Sequence, residues 1–312
     1  MMAAFYKDGA KPVLVVEGPH DSAKTSSLVI LTSALDPYAA QLPSLHKSEE
    51  NLFIYARNRV FAGFDNVSDF KANISDALCQ IATGGSITKR KNYTDDEEFI
   101  IPARSLLALN GISTGLKRPD LLDRTIKLEF QPLSRPHRTM QELLQSFAEI
   151  HPRMLGGVLR AVQYGLQHPT PLPTGMETGR LADFAQWTYQ WAPAMGLNPD
   201  KVIAAICKNQ KGSQAEAICT DTCADFIFSL LDENDDEWSG TATDLFKELN
   251  NWINDDWRGG TPRKGQFPAA PNTLHDWLKR SAPLLETAGV NYEKSRDSGK
   301  RMITITRTPQ AN

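Results

Sequence analysis

The apolar positions of this chain follow three successive periods. Pro12-Val13-Leu14-Val15-Val16-Glu17 is a continuous apolar run closed by Gly18-Pro19, the pattern of a strand buried in a parallel sheet. After a short loop, Lys24-Thr25-Ser26-Ser27-Leu28-Val29-Ile30-Leu31 opens a helix. Further apolar runs at Phe53–Ala56, Val60–Phe64, Leu106–Leu109 and Thr125–Phe130 read as strands, with helical stretches such as Ile74–Ala82 between them. Strands separated by helices predict an α/β sheet over about the first 130 residues.

From about residue 137 the spacing becomes helical: Met140, Leu143, Leu144 and Phe147, then Leu155, Val158, Leu159, Val162 and Leu166. Pro152 and Gly156-Gly157 punctuate these helices, and the Pro-, Thr- and Gly-rich stretch His168–Gly179 reads as a loop. Helices resume at Leu181–Trp191, Asp200–Lys208 and Ala215–Leu231. In the last part, helices are expected over Thr241–Trp252 and Asn272–Leu285. Val290–Ser295 and Arg301–Thr306 then suit a hairpin with Ser298-Gly299 in its turn. Helix, helix and hairpin with a basic tip is the order of a winged-helix module. The predicted organisation is an α/β core over residues 1–136, a helical region over 137–231 and a winged-helix-like domain over 232–312.

Composition adds limits rather than detail. Hydrophobic residues at 41% and charged residues at 23% suit a folded chain and exclude collagen-like or disulfide-stapled classes. The longest apolar runs fall far short of the roughly 20 residues a membrane helix needs, and the N-terminus has no signal-peptide core. The four cysteines form no CxxC pair, so neither a zinc site nor a disulfide framework is implied. An intracellular, cytoplasmic protein is expected. The net charge of −3 conceals an asymmetry: residues 232–256 carry nine acids against Lys247, and residues 258–312 carry ten Lys or Arg against four acids. A basic end behind an acidic segment suits either a nucleic-acid surface or ordinary solvated faces.

The chemistry concentrates in Gly18-Pro19-His20-Asp21-Ser22-Ala23-Lys24-Thr25, followed by Ser26. Its skeleton, G-x-x-x-x-A-K-T between a strand and a helix, departs from the P-loop pattern only by Ala23 in place of the last glycine. In a P-loop the backbone N–H groups cradle phosphates, Lys24 would reach the β- and γ-phosphates, and the Thr25 hydroxyl would bind Mg²⁺. About 40 residues later, Arg59–Asn66 is an apolar strand with Asp65 at its end, where a Walker B aspartate would hold magnesium through water. Asn66 stands where many such ATPases have a glutamate. His20 reads as a tolerated loop residue.

These motifs stand in the order Gly18–Thr25, Phe64–Ser68, Ser75–Cys79, Ala82–Gly85, Asn92–Asp96, Leu109–Ile112 and Arg118–Arg124. In this order the chain resembles ATP-binding proteins of bacterial mobile elements and phages, similar to the helicase part of primase–helicases in the superfamily III branch of AAA+ ATPases. The likeness runs more weakly through Leu155–Gly157, Arg180–Phe184, Trp238–Thr241 and the C-terminal hairpin. It implies a P-loop, AAA+-like parallel sheet and ATP with Mg²⁺ as cofactors. It also assigns roles: Lys24 and Thr25 to motif A, Asp65 with Asn66 to motif B, and Asn110 to the water-orienting sensor position. Gly84–Tyr93 matches the segment that enters the channel of a hexameric ring, so Lys89, Arg90 and Lys91 are expected to touch single-stranded DNA. Arg124, or failing it Arg118, would be the arginine supplied to a neighbouring subunit's γ-phosphate.

The implied function is ATP-driven DNA unwinding in mobile-element or phage replication by a ring-forming homo-oligomer, for which the resemblance implies a hexamer. Arg296, Lys300 and Arg301 would add contacts to duplex DNA. Because the first strand begins about a dozen residues into the chain, priming is expected from a separate primase or from a missing portion. Two other readings stay open. One is a nucleotide-switched DNA-binding regulator or loader, favoured by Asn66; the other is a small-molecule kinase indifferent to DNA.

Overall fold

The computed structural model describes residues 1–7, 9–37, 42–90, 98–134, 137–255, 257, 266–297 and 299–308, with the side chains of Arg90 and Asp297 excepted. The chain divides into two compact units, Met1–Gln210 and Lys211–Asn312. Among the described residues, no helix is long and apolar enough to cross a membrane.

The first unit opens with β1 (Val13–Glu17), α1 (Lys24–Leu35), α2 (Glu49–Arg57), β2 (Phe61–Phe64) and α3 (Ala72–Thr83). There follow β3 (Ser86–Arg90), β4 (Glu98–Pro102), β5 (Leu106–Gly111), α4 (Pro119–Leu122), β6 (Thr125–Glu129), α5 (Met140–Gln167), α6 (Ala182–Trp191) and α7 (Pro199–Cys219), which runs across the division. Four strands form a parallel sheet in the order β2-β5-β1-β6, so the fold is a mixed α/β architecture with many helices. Strands β5 and β2 are buried along their whole length, which is why they read as unbroken apolar runs. One face of the sheet packs with Leu52, Phe53, Leu78 and Ile81. The other packs with Leu28 of α1 and, beyond it, Leu181 and Phe184.

The edge strand β6 is closed by a side chain. Asn209 of α7 accepts the Lys127 N–H at 2.8 Å through Oδ1 and donates from Nδ2 to the Lys127 carbonyl at 2.8 Å. Gln210 donates to the Asp123 carbonyl at 2.8 Å, just before the strand begins.

Three expectations are corrected. Phe53–Ala56 is not a strand but lies inside α2. A run of four apolar residues does not distinguish the two, and Leu52, Phe53 and Ala56 are buried at helical spacing behind the acidic first turn Glu49-Glu50. Pro152 and Gly156-Gly157 do not divide the helices around them: α5 runs unbroken for 28 residues. Its buried face, Phe147, Val158, Ala161 and Gly165, spans the proline on both sides. A Cβ on Gly165 would lie 3.1 Å from the Trp187 ring, so the glycine allows α5 and α6 to approach closely. The helix expected over Asp200–Lys208 continues to Cys219, and the break falls at Thr220-Asp221. Asp221 there caps α8 (Thr222–Glu233) by accepting from the N–H groups of Cys223 and Ala224.

The second unit continues from α8 with β7 (Glu237–Gly240), α9 (Ala242–Asp255), α10 (Pro271–Thr287), β8 (Val290–Asp297) and β9 (Lys300–Arg307). The hairpin β8–β9 was legible from its alternation. It is joined by β7, which pairs antiparallel with β9 to give the sheet order β7-β9-β8. Leu245, Leu249, Leu274, Leu278, Ile303 and Ile305 are buried in this unit. Arg307 clamps Asp232 and Asp236, tying the last strand to the end of α8.

Candidate functional site

Strand β1 delivers the chain into the loop 18–23 at the carboxyl end of the sheet, where parallel α/β proteins bind their ligands. Gly18 takes φ +153°, and a Cβ there would stand 2.3 Å from the Phe130 carbonyl oxygen, so only glycine fits this close approach. Asp21 and Ala23 have φ of +60° and +59°, while Ser22 between them does not. Alternation of this kind turns successive backbone N–H groups into a concavity suited to anions. Ala23 thus adopts the left-handed backbone that a glycine would hold at lower cost, immediately before α1 begins at Lys24.

The Lys24 ammonium folds over the loop. It donates to the carbonyls of Gly18 at 2.8 Å and Pro19 at 2.6 Å, and to Ser22 Oγ at 3.0 Å. Ser22 is buried and itself donates to the Pro19 carbonyl at 2.8 Å. Thr25, in the first turn of α1, donates from Oγ1 to Asp65 Oδ1 at 3.1 Å. Its oxygen also accepts from Asn110 Nδ2 at 3.4 Å. Asn110, near the end of β5, is almost fully buried. The Asn66 N–H points at Asp65 Oδ1 (2.9 Å) and Asn110 Oδ1 (3.3 Å), with Asn66 at φ +53°. Parallel pairing of β1, β5 and β2 thus brings Thr25, Asp65, Asn66 and Asn110 from three strand ends into one cluster beside Lys24.

A cleft of about 550 Å³ opens along the loop. One wall is His20, Asp21, Ser22, Ala23, Lys24, Thr25 and Ser26. Leu133, His137, Arg138 and Leu143 complete the lining; of these the sequence marked only Leu143, as an apolar position of a helix. The only other local signal was the T-x-x-E pattern Thr139–Glu142, a reciprocal cap that starts α5 beside them.

Glu17, the last residue of β1, accepts from the Thr114 N–H and Oγ1–H, each at 2.6 Å, and pairs with Lys127 at 2.9 Å. Burial alone would raise its pKa, but the two Thr114 donors and Lys127 outweigh burial and hold it below the ordinary glutamate value. This network ties the stretch after Asn110 to both β1 and β6.

The two candidate trans-acting arginines lie elsewhere. Arg124 precedes β6, and Thr125 pairs with Val13, so Arg124 stands at the sheet edge opposite the loop, about 13 Å of strand away. Its Nη1 donates to the Asp120 carbonyl, and its Nε is buried with no hydrogen-bond partner among the described residues. Arg118 is engaged by Asp76 at 2.8 and 3.1 Å and by the Ala72 carbonyl at 3.0 Å. Of the cations expected on DNA, Lys89 lies on the antiparallel hairpin β3–β4 and pairs with Glu50. Lys91 and the Arg90 side chain are outside the described residues, as are Asn92–Asp96. In the second unit, Arg296 and Arg301 face each other in the β8–β9 ladder and line a cleft of about 740 Å³ with Lys294, Asn272 and His275. Lys300 pairs in register with Asp297 at the hairpin end. Burial and the adjacent Lys294 lower the His275 pKa, and its ring nitrogen meets the Tyr292 hydroxyl at 3.0 Å.

Residues 5–209 match the family model of the actinomycete integrative conjugative element replication protein. The chain belongs to this family of replication proteins. Residues 223–312 match the C-terminal domain model of the RepA proteins of those elements. It is therefore a replication protein of a mobile element. No curated protein matches it. Among solved structures, it is similar to JCV helicase, crystallised with a thiazolopyridine acetamide, at 16% identity and a TM-score of 0.31. That match covers 63% of this chain and 59% of the helicase chain. It is also similar to the A form apo structure of the NrS-1 C terminal region, at 12% identity and a TM-score of 0.36, covering 98% of this chain and 69% of that one. Both likenesses are loose in backbone geometry.

Proposed function

We propose that this replication protein is an ATP-hydrolysing motor of the DNA helicase or translocase type, of AAA+ character. The observation that carries the reading is the convergence of Lys24, Thr25, Asp65 and Asn110 on one loop whose backbone alternates in the manner of an anion nest. The donor set fits the groups invoked: Thr25 Oγ1 would ligate Mg²⁺, and Asp65 Oδ1, which it meets at 3.1 Å, would hold the ion through water; both are the hard oxygens that magnesium takes. Bound there, Mg²⁺ would neutralise charge developing on the phosphates. Lys24 exchanges its loop acceptors for β- and γ-phosphate oxygens. Asn110, held against Thr25, orients water at the phosphate end of the site.

The resemblance supplies the rest of the proposal. Arg124 acts on the loop of a neighbouring copy in a homo-oligomeric ring, which suits its place at the far edge of its own sheet. The β3–β4 hairpin meets single-stranded DNA. The order helix, strand, two helices, hairpin in the second unit supports a winged-helix reading, with Arg296, Lys300 and Arg301 on duplex phosphates. One feature favours a second reading, a nucleotide-switched DNA-binding regulator or loader: the position after Asp65 is Asn66, which cannot act as a base.

Steady-state ATPase with and without single-stranded DNA, together with solution mass, separates the two. A motor turns over faster with DNA and assembles, and Lys24→Ala or Asp65→Ala abolishes turnover. Mixing Lys24→Ala with Arg124→Ala should restore part of the activity, because subunits with intact loops then receive Arg124 from the other variant. An arginine supplied in this way is worth on the order of 10³–10⁵ in rate. Turnover by Lys24→Ala equal to the parent's would remove the loop from the reading.

A further inference from the structure

The phosphate-end cluster and the cleft share Thr25 but draw their other residues from different elements. Thr25, Asp65 and Asn110 gather where α1 meets β2 and β5, whereas the wall facing the loop comes from the chain after β6. That chain is strapped to the loop by backbone: Phe130 N–H donates to the Glu17 carbonyl at 2.7 Å, and Leu133 N–H to the Asp21 carbonyl at 3.0 Å. A nucleotide whose terminal phosphates reach Thr25 and Asp65 therefore has its nucleoside half available to this wall.

The chemistry of the wall suits that half. Leu133 is 48% exposed beside a polar loop, and Leu143 adds a second apolar surface. Arg138 is exposed but not loose. Its Nη2 donates to the Glu142 carbonyl at 3.1 Å and to Ser146 Oγ at 2.6 Å. The neighbouring carboxylate of Glu142 is turned back onto the Thr139 N–H at 2.8 Å as part of the helix cap. The described hydrogen bonds of Arg138 thus go to neutral oxygens and hold the guanidinium at the cleft, while the Glu142 carboxylate that it attracts is engaged by the helix cap.

We propose that Arg138, with Leu133 and Leu143, is the nucleoside-side wall of the site, and that Arg138 binds the nucleotide held by its own chain without regard to the γ-phosphate. This rests on the loop being a nucleotide site. It assigns Arg138 a role opposite to that proposed for Arg124: binding in cis rather than charge stabilisation in trans.

The test is calorimetric titration of the full chain with Mg·ADP and with Mg·ATP, for the parent, Arg138→Ala, Arg138→Gln and Leu133→Asn. Loss of a hydrogen bond to a charged group predicts that both arginine variants bind ADP and ATP about 10- to 100-fold more weakly, by the same factor for each nucleotide. Leu133→Asn should weaken both together as well. Unfolding temperatures should stay at the parent's value, since Leu133 and Arg138 are exposed. Parent-like ADP affinity in both arginine variants overturns the proposal, and so does a loss confined to ATP, which would move Arg138 to the γ-phosphate. A parent that binds neither nucleotide brings down the loop reading and the proposal together. A parent that binds while the variants are unchanged brings down the proposal alone.

Discussion

Replacing Gly18 by alanine tests whether the loop geometry is as tightly determined as it looks. The new Cβ would stand 2.3 Å from the Phe130 carbonyl oxygen, a backbone atom that cannot rotate away. Phe130 is itself held by its N–H bond to Glu17 at 2.7 Å, so relief requires moving the chain after β6 away from β1. Two costs add. A side chain in a sparsely populated backbone region costs about 1–3 kcal/mol, and forcing an atom into a packed contact costs about 1–3 kcal/mol. A central figure of about 4 kcal/mol corresponds to roughly 8–16 °C in the unfolding temperature of a unit of this size. Differential scanning calorimetry on parent and variant measures it, and the loss belongs to the transition of the Met1–Gln210 unit. A shift smaller than about 2 °C would refute the reasoning, because it would mean that the loop and the Phe130 strap separate at almost no cost.

Ala23→Gly should act in the opposite direction. Relief of the left-handed strain, about 1–2 kcal/mol, exceeds the roughly 0.5–1 kcal/mol entropic cost of glycine, so thermal unfolding should occur slightly higher; a lower midpoint would deny the φ of +59°. Glu17→Gln should cost stability at pH 7 and progressively less in acid. The folded carboxyl lies below its ordinary value, so its contribution is complete above the unfolded pKa, about 4.3, and disappears as pH falls through the folded value. Denaturant titrations at pH 7 and below pH 4 check this, and an equal cost at both would assign the effect to packing. Replacing Arg296, Lys300 and Arg301 together by alanine should flatten the log–log salt dependence of duplex DNA binding by about one unit per lost phosphate contact. An unchanged slope in filter-binding titrations would remove these residues from the interface.

Much of the α/β core was legible because its determinants are local. An apolar run ending at Gly18-Pro19 has few conformations open to it, and alternation in Val290, Tyr292, Ile303 and Ile305 marks a hairpin from its own residues. Phe53–Ala56 misled because its periodicity spans barely one turn, and only the packing of Leu52 and Phe53 against the sheet decides the helix. Pro152 misled for the reverse reason: a strong local breaker was overruled by a buried face on either side. At the site, Lys24, Thr25, Asp65 and Asn110 were readable as motifs, although their meeting depends on strand order. Arg138 and Leu133 were not readable. Nothing in their neighbourhood marks them as facing the loop, and the backbone bond from Leu133 to Asp21 that brings them there crosses more than a hundred residues.

The amide of Asn209 has a consequence outside the chain. A border strand offers unused donors and acceptors on which another polypeptide can crystallise as a further strand, the usual route to swapped or aggregated forms. At the middle of β6 both backbone groups of Lys127 are already answered by one side chain, which imitates a single rung of a missing neighbour. The ladder stops within its own molecule there. A second copy arriving at that border finds a helix in the place where it would need open backbone, so association at this border has to proceed through side-chain surfaces and not by extension of the sheet.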